Sequence, residues 1–252
     1  MRHNPLRRLA AATAALVATA ALVPAVALAT PAATFLPAHR PAGAPAHGIG
    51  GAYNINGFNW GGYVATGAAF TSVSATWTEP SVTCNTSNDL YAPWVGIDGY
   101  SSSTVEQTGV ATDCSSGSPV FQAWYEMYPA NPVYLSLSAH PVAAGNSIHA
   151  SVTYTGSHRY TLTISNTTRG WTFTTSKTLS SARNASAEAI IESPTASYPK
   201  FALLTFTSVT VNGSAIGNFT NVALDPSAGG IFEARTSGLS GGNSFTETYL
   251  HR

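Results

Sequence analysis

The sequence predicts an all-β fold, an antiparallel β-sandwich built from two large, stacked and curved sheets. The first observation is that short runs rich in Val, Ile, Thr, Tyr and Phe recur along the chain, with turn signals of Gly, Asn, Ser and Pro between them. The second is that the sequence after residue 50 lacks the spacing of an amphipathic helix. Short strands with near turns pair antiparallel, and stacking two sheets solves the problem of their open edges. A closed barrel is the alternative.

The runs that predict strands most clearly are rich in β-branched and aromatic residues, and several alternate apolar and polar positions. They are Phe70 to Thr78, Ser147 to Thr155, Tyr160 to Asn166, Trp171 to Thr175, Phe201 to Asn212 and Phe245 to Leu250. The length of residues 51–252 fits one large β-domain.

The amino terminus has the pattern of an export signal. Three arginines within the first eight residues precede an apolar run from Leu9 to Leu28, which ends in the small-x-small pattern Ala27-Leu28-Ala29. We interpret residues 1–29 as a signal peptide, with an uncleaved anchor as the alternative, and expect a secreted protein that leaves the membrane once the signal is cleaved. Residues 30–50 are dominated by Pro, Ala, Gly and His, a composition that buries too little apolar surface to fold, so we interpret them as a linker or short propeptide.

Charge and cysteine content exclude several function classes. Past residue 50 the chain holds seven basic and eleven acidic residues, so its formal charge is 7 − 11 = −4. The sequence therefore lacks the basic patch that nucleic acid requires. Cys84 and Cys114 most simply form one disulfide in an exported chain. The histidines past residue 50 are scattered, and since none lies at metal-ligand spacing we expect neither a metal nor another cofactor.

Alternation along strands places candidate side chains on common faces. Trp124, Glu126 and Tyr128 point one way in their run, and Glu188 and Glu192 share a face in theirs. Small and aliphatic residues lie behind both glutamates, which fits a buried layer between two sheets. The carboxylates are therefore expected on the outer, solvent-facing side, where a concave sheet would form a groove.

Several blocks of sequence, in their order along the chain, resemble the signature blocks of the glutamic peptidases, the eqolisin family. The main blocks are Trp94-Val95-Gly96-Ile97-Asp98-Gly99, Gln107-Thr108-Gly109-Val110, Ala123-Trp124-Tyr125-Glu126 with Tyr128-Pro129, and Ala187-Glu188 with Ile190-Ile191-Glu192. Asn59-Trp60-Gly62 and Thr78-Glu79-Pro80-Ser81-Val82 resemble the opening segments of the family. The resemblance implies a concanavalin-like β-sandwich and an acid endopeptidase whose catalytic residues are Gln107 and Glu192.

The chemistry of peptide hydrolysis suits such a pair. A carboxylate with an ordinary pKa of about 4.3 takes a proton from water and then returns it to the leaving nitrogen. A carboxamide offers two N–H donors without ionising. We therefore expect Glu192 to act first as base and then as acid, while Gln107 orients the water and stabilises the oxyanion. The expected partners are polypeptide substrates, and the expected oligomeric state is a monomer.

A second set of residues is expected to line a substrate groove. Its members are Trp60, Trp94, Asp98, Trp124, Glu126 and Tyr128, of which the resemblance places Asp98 and Glu126 close to the catalytic pair. Trp94 and Trp124 fit the sandwich core equally well, and Asp98 also fits a cap on the tight turn that follows it. We expect Glu188 to be a solvated strand residue.

Two rival functions fit parts of the same pattern. A carbohydrate-binding module, or lectin, also presents aromatic residues on a β-sandwich. A glycosidase would use Glu126 and Glu192 as its acid and base, with about 5 to 9.5 Å between the two carboxyl groups. The chain also departs from the family pattern, with Ala189 where many relatives have an aromatic residue and Ser193 where an acidic residue often follows the catalytic glutamate.

Overall fold

The computed structural model describes residues 54–100 and 102–251. The predicted signal peptide and linker, residues 1–29 and 30–50, lie outside the described residues. Within the described part of the chain, no helix is long and apolar enough to cross a lipid bilayer.

Strands make up nearly all of the regular secondary structure in the described residues. Those that begin before residue 167 are β1 (Ile55–Asn56), β2 (Trp60–Thr66), β3 (Ser72–Thr78), β4 (Val82–Thr83), β5 (Leu90–Asp98), β6 (Val105–Asp113), β7 (Val120–Tyr128), β8 (Val133–Tyr134), β9 (Ser147–Gly156) and β10 (Arg159–Asn166). The later strands are β11 (Trp171–Thr178), β12 (Ala187–Glu192), β13 (Lys200–Phe201), β14 (Leu204–Val211), β15 (Ser214–Ala215), β16 (Thr220–Asp225), β17 (Ser227–Ala228), β18 (Ile231–Phe232), β19 (Ala234–Thr236) and β20 (Phe245–Tyr249). A short 3-10 turn, Ile216–Asn218, lies between β15 and β16.

Two eight-stranded sheets contain most of these strands. The first sheet has the order β1-β16-β2-β12-β5-β6-β7-β8, and the second has the order β11-β10-β9-β3-β14-β20-β19, with β15 beside β14. Neighbouring strands of the first sheet pair antiparallel from β16 to β8, and only β1 and β16 among the described strands pair in parallel. The short pairs β4–β13 and β17–β18 lie outside the two sheets.

The main core lies between the two sheets. Val95 and Ile191 of the first sheet belong to the same buried apolar cluster as Val73 and Val152 of the second. Strands β5 and β12 are buried along their whole length rather than at alternate residues, because a second apolar cluster covers the outer side of the first sheet. The first sheet is therefore packed on both faces, and this outer cluster is where the candidate site lies.

The predicted β-sandwich is confirmed, and each predicted run coincides with a strand, although the run from Phe201 to Asn212 divides into β13 and β14. Among the longer strands, sequence patterns missed β2, β5 and β16. Strand β2 contains Gly61 and Gly62, and β5 is apolar without alternation because it is buried on both faces. The predicted disulfide is also present, and it joins Cys84 after β4 to Cys114 at the end of β6.

Candidate active site

The strand register brings residues from five separate blocks of sequence onto the outer face of the first sheet. Glu192 on β12 lies opposite Trp60 on β2. Gln107 on β6 lies opposite Gly96 on one side and Glu126 on the other. The shared face follows from antiparallel pairing, since directly paired residues project to the same side of a sheet.

Glu192 is held by hydrogen bonds from two side chains on two different elements. Asn59 donates its amide Nδ2 to Glu192 Oε1 at 2.9 Å, and Trp94 donates its indole Nε1 to Oε2 at 3.0 Å. The glutamate is 1% exposed. A carboxyl group with a donor on each oxygen has a fixed orientation, which a group that transfers protons at a defined point requires.

Burial, together with the charge of the nearby Glu126, raises the pKa of Glu192 to about 8, and the hydrogen bonds from Trp94 and Asn59 oppose this rise only in part. The expectation of a carboxylate with an ordinary pKa is therefore wrong. In acid the carboxyl of Glu192 therefore carries its proton.

Gln107 is fixed by the neighbouring strand. Its amide Nε2 donates to Glu126 Oε2 at 2.5 Å, and the side chain is 4% exposed. Its carbonyl Oε1 is buried without a hydrogen-bond partner among the described residues. An unsatisfied buried acceptor is costly, and a bound water or substrate group would satisfy it.

Glu126 interacts with both Gln107 and Glu192. Burial raises its pKa to about 7, while the hydrogen bond from Gln107 lowers it. Because its charge also acts on Glu192, the two carboxyl groups titrate as neighbours. The prediction that Glu126 lies close to the pair agrees with this geometry.

Trp94 lies between Gln107 and Glu192 on the outer face of the sheet. The two residues are offset along β5, since Glu192 lies opposite Ala92 and Gln107 lies opposite Gly96. The indole of Trp94 bridges this offset, with its Nε1 on Glu192 and its Cζ3 so close to Gly96 that an added Cβ there would be 2.9 Å away. The same Cβ would be 3.2 Å from Gln107 Cβ, so glycine at this position leaves room for both neighbouring side chains.

The three groove tryptophans form the packed floor of the site. Trp60 is 2% exposed, and Trp94 and Trp124 are fully buried. Trp60 and Trp94 meet edge to face with ring centroids 5.0 Å apart. Broad indole faces are therefore not open to a substrate, and the alternative reading of Trp94 and Trp124 as packing residues fits this arrangement better. Tyr128 is partly buried against the same outer cluster.

Asp98 has a different task from the one that the resemblance implied. It is fully buried, and its carboxylate accepts hydrogen bonds from the backbone N–H groups of Arg183, Asn184 and Ala185 at 2.7, 3.0 and 2.7 Å. These donors belong to the segment that leads into β12. Asp98 therefore anchors the entry to the strand that carries Glu192, and this geometry does not support a substrate-binding role.

Glu188 corrects a second expectation. It shares the outer face with Glu192, as the alternation predicted, but it is fully buried rather than solvated. Burial raises its pKa well above the usual range, and the charges of Asp98 and Glu106 add to that shift. Burial thus favours the protonated, neutral form of the Glu188 carboxyl group.

Asn59 is a site residue to which sequence reasoning gave no role. Its carbonyl oxygen accepts hydrogen bonds from Ser193 N and from the hydroxyl of Tyr198, at 3.1 and 2.9 Å. These contacts fix the backbone of Asn59 beside Glu192, and its amide then reaches the carboxyl group. The signal was its place next to Trp60 in a block that resembles the family's opening segment.

Comparisons with known proteins identify the family of this chain. The Peptidase A4 family model matches residues 58–247. Aspergillopepsin-2 of Aspergillus niger is 28% identical over 222 residues, which are 76% of this chain and 77% of the relative. Scytalidopepsin B of Scytalidium lignicola is 39% identical over 113 residues, and this match spans 44% of the chain but only 41% of the relative's length.

Solved structures show the same architecture. A crystal structure of scytalido-glutamic peptidase with a transition-state analogue inhibitor superposes with a TM-score of 0.67 at 25% identity, covering 77% of this chain and 98% of that one. Aspergilloglutamic peptidase from Aspergillus niger gives a TM-score of 0.56 at 28% identity, covering 64% and 99% of the two chains. Since the family model spans most of the chain and the fold agrees, this protein belongs to the Peptidase A4 family, the glutamic peptidases.

Proposed function

We propose that this protein is an exported acid endopeptidase in which Glu192 transfers the protons and Gln107 positions the attacking water. The observation that carries the proposal is the buried face shared by these two residues, where Glu126 and Trp94 connect them. Family membership makes peptide hydrolysis the chemistry to expect, and it favours that function over a lectin or a glycosidase.

The raised pKa of Glu192 reverses the order of proton transfers that an ordinary carboxylate would follow. The protonated Glu192 donates its proton to the oxygen of the scissile carbonyl while water attacks the carbon. The carboxylate formed by that donation then accepts a proton from the attacking water. Both oxygens of the tetrahedral intermediate are then hydroxyl groups, and Glu192 is protonated again.

The second half of the cycle returns the enzyme to its starting state. Glu192 donates its proton to the amide nitrogen, the C–N bond breaks, and a hydroxyl proton of the nascent acid passes back to Glu192. Gln107 stays neutral throughout. Its free Oε1 accepts a hydrogen bond from the attacking water, and the second N–H of its Nε2 is available to the substrate oxygen.

Digestion of an unfolded protein at about pH 3, well below the ordinary carboxyl pKa, tests the assignment. We expect the wild type to cleave, Glu192→Gln to be inactive, and Gln107→Ala to lose at least about a hundredfold in kcat, the typical cost of one oxyanion donor. Glu79→Gln is the matched control. Glu79 is as buried as Glu192, but it directly follows β3, a strand of the second sheet. Undiminished cleavage by Glu192→Gln would contradict the proposed role of Glu192.

Export is the second part of this proposal. The disulfide between Cys84 and Cys114 supports an oxidising destination, since such bonds persist outside the cytosol. We expect the secreted protein to begin after Ala29 or, if residues 30–50 act as a propeptide, after that segment. Amino-terminal sequencing of the active protein from the culture medium distinguishes the two cases, and an intact Met1 in that material contradicts cleavage.

A further inference from the structure

Phe58 combines a left-handed backbone conformation with an exposed aromatic side chain. Its φ is 58°, in the left-handed region that bulky side chains rarely adopt. Its side chain is 48% exposed, so burial of the ring offsets little of that backbone strain. Strained residues that give little packing in return are typical of functional sites.

Hydrogen bonds on both sides hold Phe58 in this conformation. Its N–H donates to Asn56 Oδ1 at 2.8 Å, and its carbonyl accepts from the N–H of Ser227 at 2.6 Å. The hydroxyl of Ser227 also donates to Asn56 Oδ1 at 2.8 Å. A rigid ridge results, formed by residues 56–59 and the β17–β18 hairpin. A second exposed apolar side chain, Ile231 at 58% exposure, belongs to the same ridge.

The ridge borders the candidate catalytic carboxyl group. Phe58 directly precedes Asn59, whose amide donates to Glu192 Oε1. Consecutive Cα atoms are about 3.8 Å apart. The Cα of Phe58 therefore lies about that distance from the Cα of Asn59, whose side chain binds Glu192. The tryptophans of the site, by contrast, are buried and offer little apolar surface to a ligand.

We propose that Phe58 is a specificity-determining residue, which contacts a large apolar side chain of the substrate next to the scissile bond. This inference rests on the proposed peptidase function. A polypeptide lying across the outer face at Glu192 passes beside the ridge, and an aliphatic or aromatic substrate side chain packed on Phe58 loses its contact with water. The preferred substrates are therefore unfolded polypeptides cut beside Leu, Ile, Phe or Tyr.

The test compares cleavage sites and rates for the wild type and Phe58→Asn. Asn tolerates the left-handed conformation, so this variant removes the ring without changing the backbone requirement. Leu203→Asn is the matched control, because Leu203 is 61% exposed but lies between β13 and β14, away from Glu192. A digested peptide library, read by mass spectrometry, first shows which residues flank the cut bonds.

Rates are then measured on the best peptide and on its twin with Ala in place of the flanking apolar residue. We expect the wild type to favour the apolar peptide by about tenfold or more in kcat/KM, and Phe58→Asn to lose most of that preference through KM. Leu203→Asn should keep it. An unchanged preference in Phe58→Asn, or an equal loss on both peptides, overturns this inference alone. A wild type that cleaves no peptide overturns the peptidase function as well.

Discussion

Gln107 on β6 and Glu126 on β7 lie directly opposite each other, and the amide of Gln107 donates to the carboxyl of Glu126 at 2.5 Å. This contact leaves Gln107 Oε1 as the free acceptor of the site. It also places a second titratable group near Glu192, whose pKa it raises. The candidate pair is thus part of a three-residue unit, and the protonation of that unit is open to measurement.

Replacement of Glu126 by Gln should shift the pH dependence of activity. Glu126 raises the pKa of Glu192, so its neutral replacement lowers that pKa. The protonated Glu192 is the active form in our proposal, and activity is lost as pH rises through its pKa. We therefore expect the alkaline limb of the kcat/KM profile to move to lower pH. Fluorescence at each pH confirms that the protein is folded, and Glu79→Gln, which leaves this unit intact, should show no shift.

Replacement of Asn59 by Ala should move the alkaline limb of the kcat/KM profile in the opposite direction, to higher pH. The hydrogen bond from Asn59 lowers the pKa of Glu192. Without it, the effect of burial is less compensated and the pKa of Glu192 rises. The alkaline limb then moves to higher pH, and kcat falls because the carboxyl group is less firmly oriented. Opposite shifts in the two variants identify Glu192 as the group that titrates. Shifts in the same direction would assign the limb to another residue.

Replacement of Gly109 by Ala should destabilise the fold beneath the site. An added Cβ would lie 2.2 Å from the carbonyl oxygen of Pro93 and 2.6 Å from Trp94 Cβ, so β5 and β6 must move apart. We expect a loss of about 1–3 kcal/mol or more in the free energy of unfolding, measured by urea titration at acid pH. Gly238→Ala is the control, since an added Cβ there meets nothing within 4 Å. Equal stability of the two variants contradicts the close packing.

Stability should fall as the pH rises from acid to neutral. Every glutamate of the chain is buried, and burial raises the pKa of each, to about 8 for Glu79 and about 9 for Glu106. In the unfolded chain these groups ionise near pH 4.3, whereas the folded protein keeps their protons. The unfolded state therefore binds fewer protons between about pH 4 and the raised folded pKa, and stability declines across that window.

The size of this effect is large enough to measure directly. A group that is protonated when folded and ionised when unfolded lowers the free energy of unfolding by about 1.4 kcal/mol per pH unit, so even one or two such groups give a decline that urea midpoints detect. Glu188→Gln removes one titrating group and should make the decline shallower. Urea midpoints measured between pH 3 and pH 8 provide the check. A flat pH dependence in the wild type would show that these carboxyl groups are ionised when folded.

Much of the site could be read from the sequence, because alternation along a strand is a local property. The period of two placed Glu188 with Glu192, and Trp124 with Glu126, on a common face of their own strands, and the structure agrees. The ordered blocks also identified the family. Cys84 and Cys114 form the expected disulfide because the pairing of two cysteines leaves no alternative connectivity.

Only the tertiary structure decided how far each of these groups is shielded from water. Alternation gives the side of the sheet but not what covers it, and here a second apolar cluster buries Glu188 and Glu192 on the outer face. Burial depends on strands far apart in the sequence, and it sets the pKa through desolvation. The same long-range packing turned Asp98 toward the segment before β12 and placed Asn59 on Glu192. The sequence thus determined which residues meet on one sheet, whereas the fold determined which of them hold a proton.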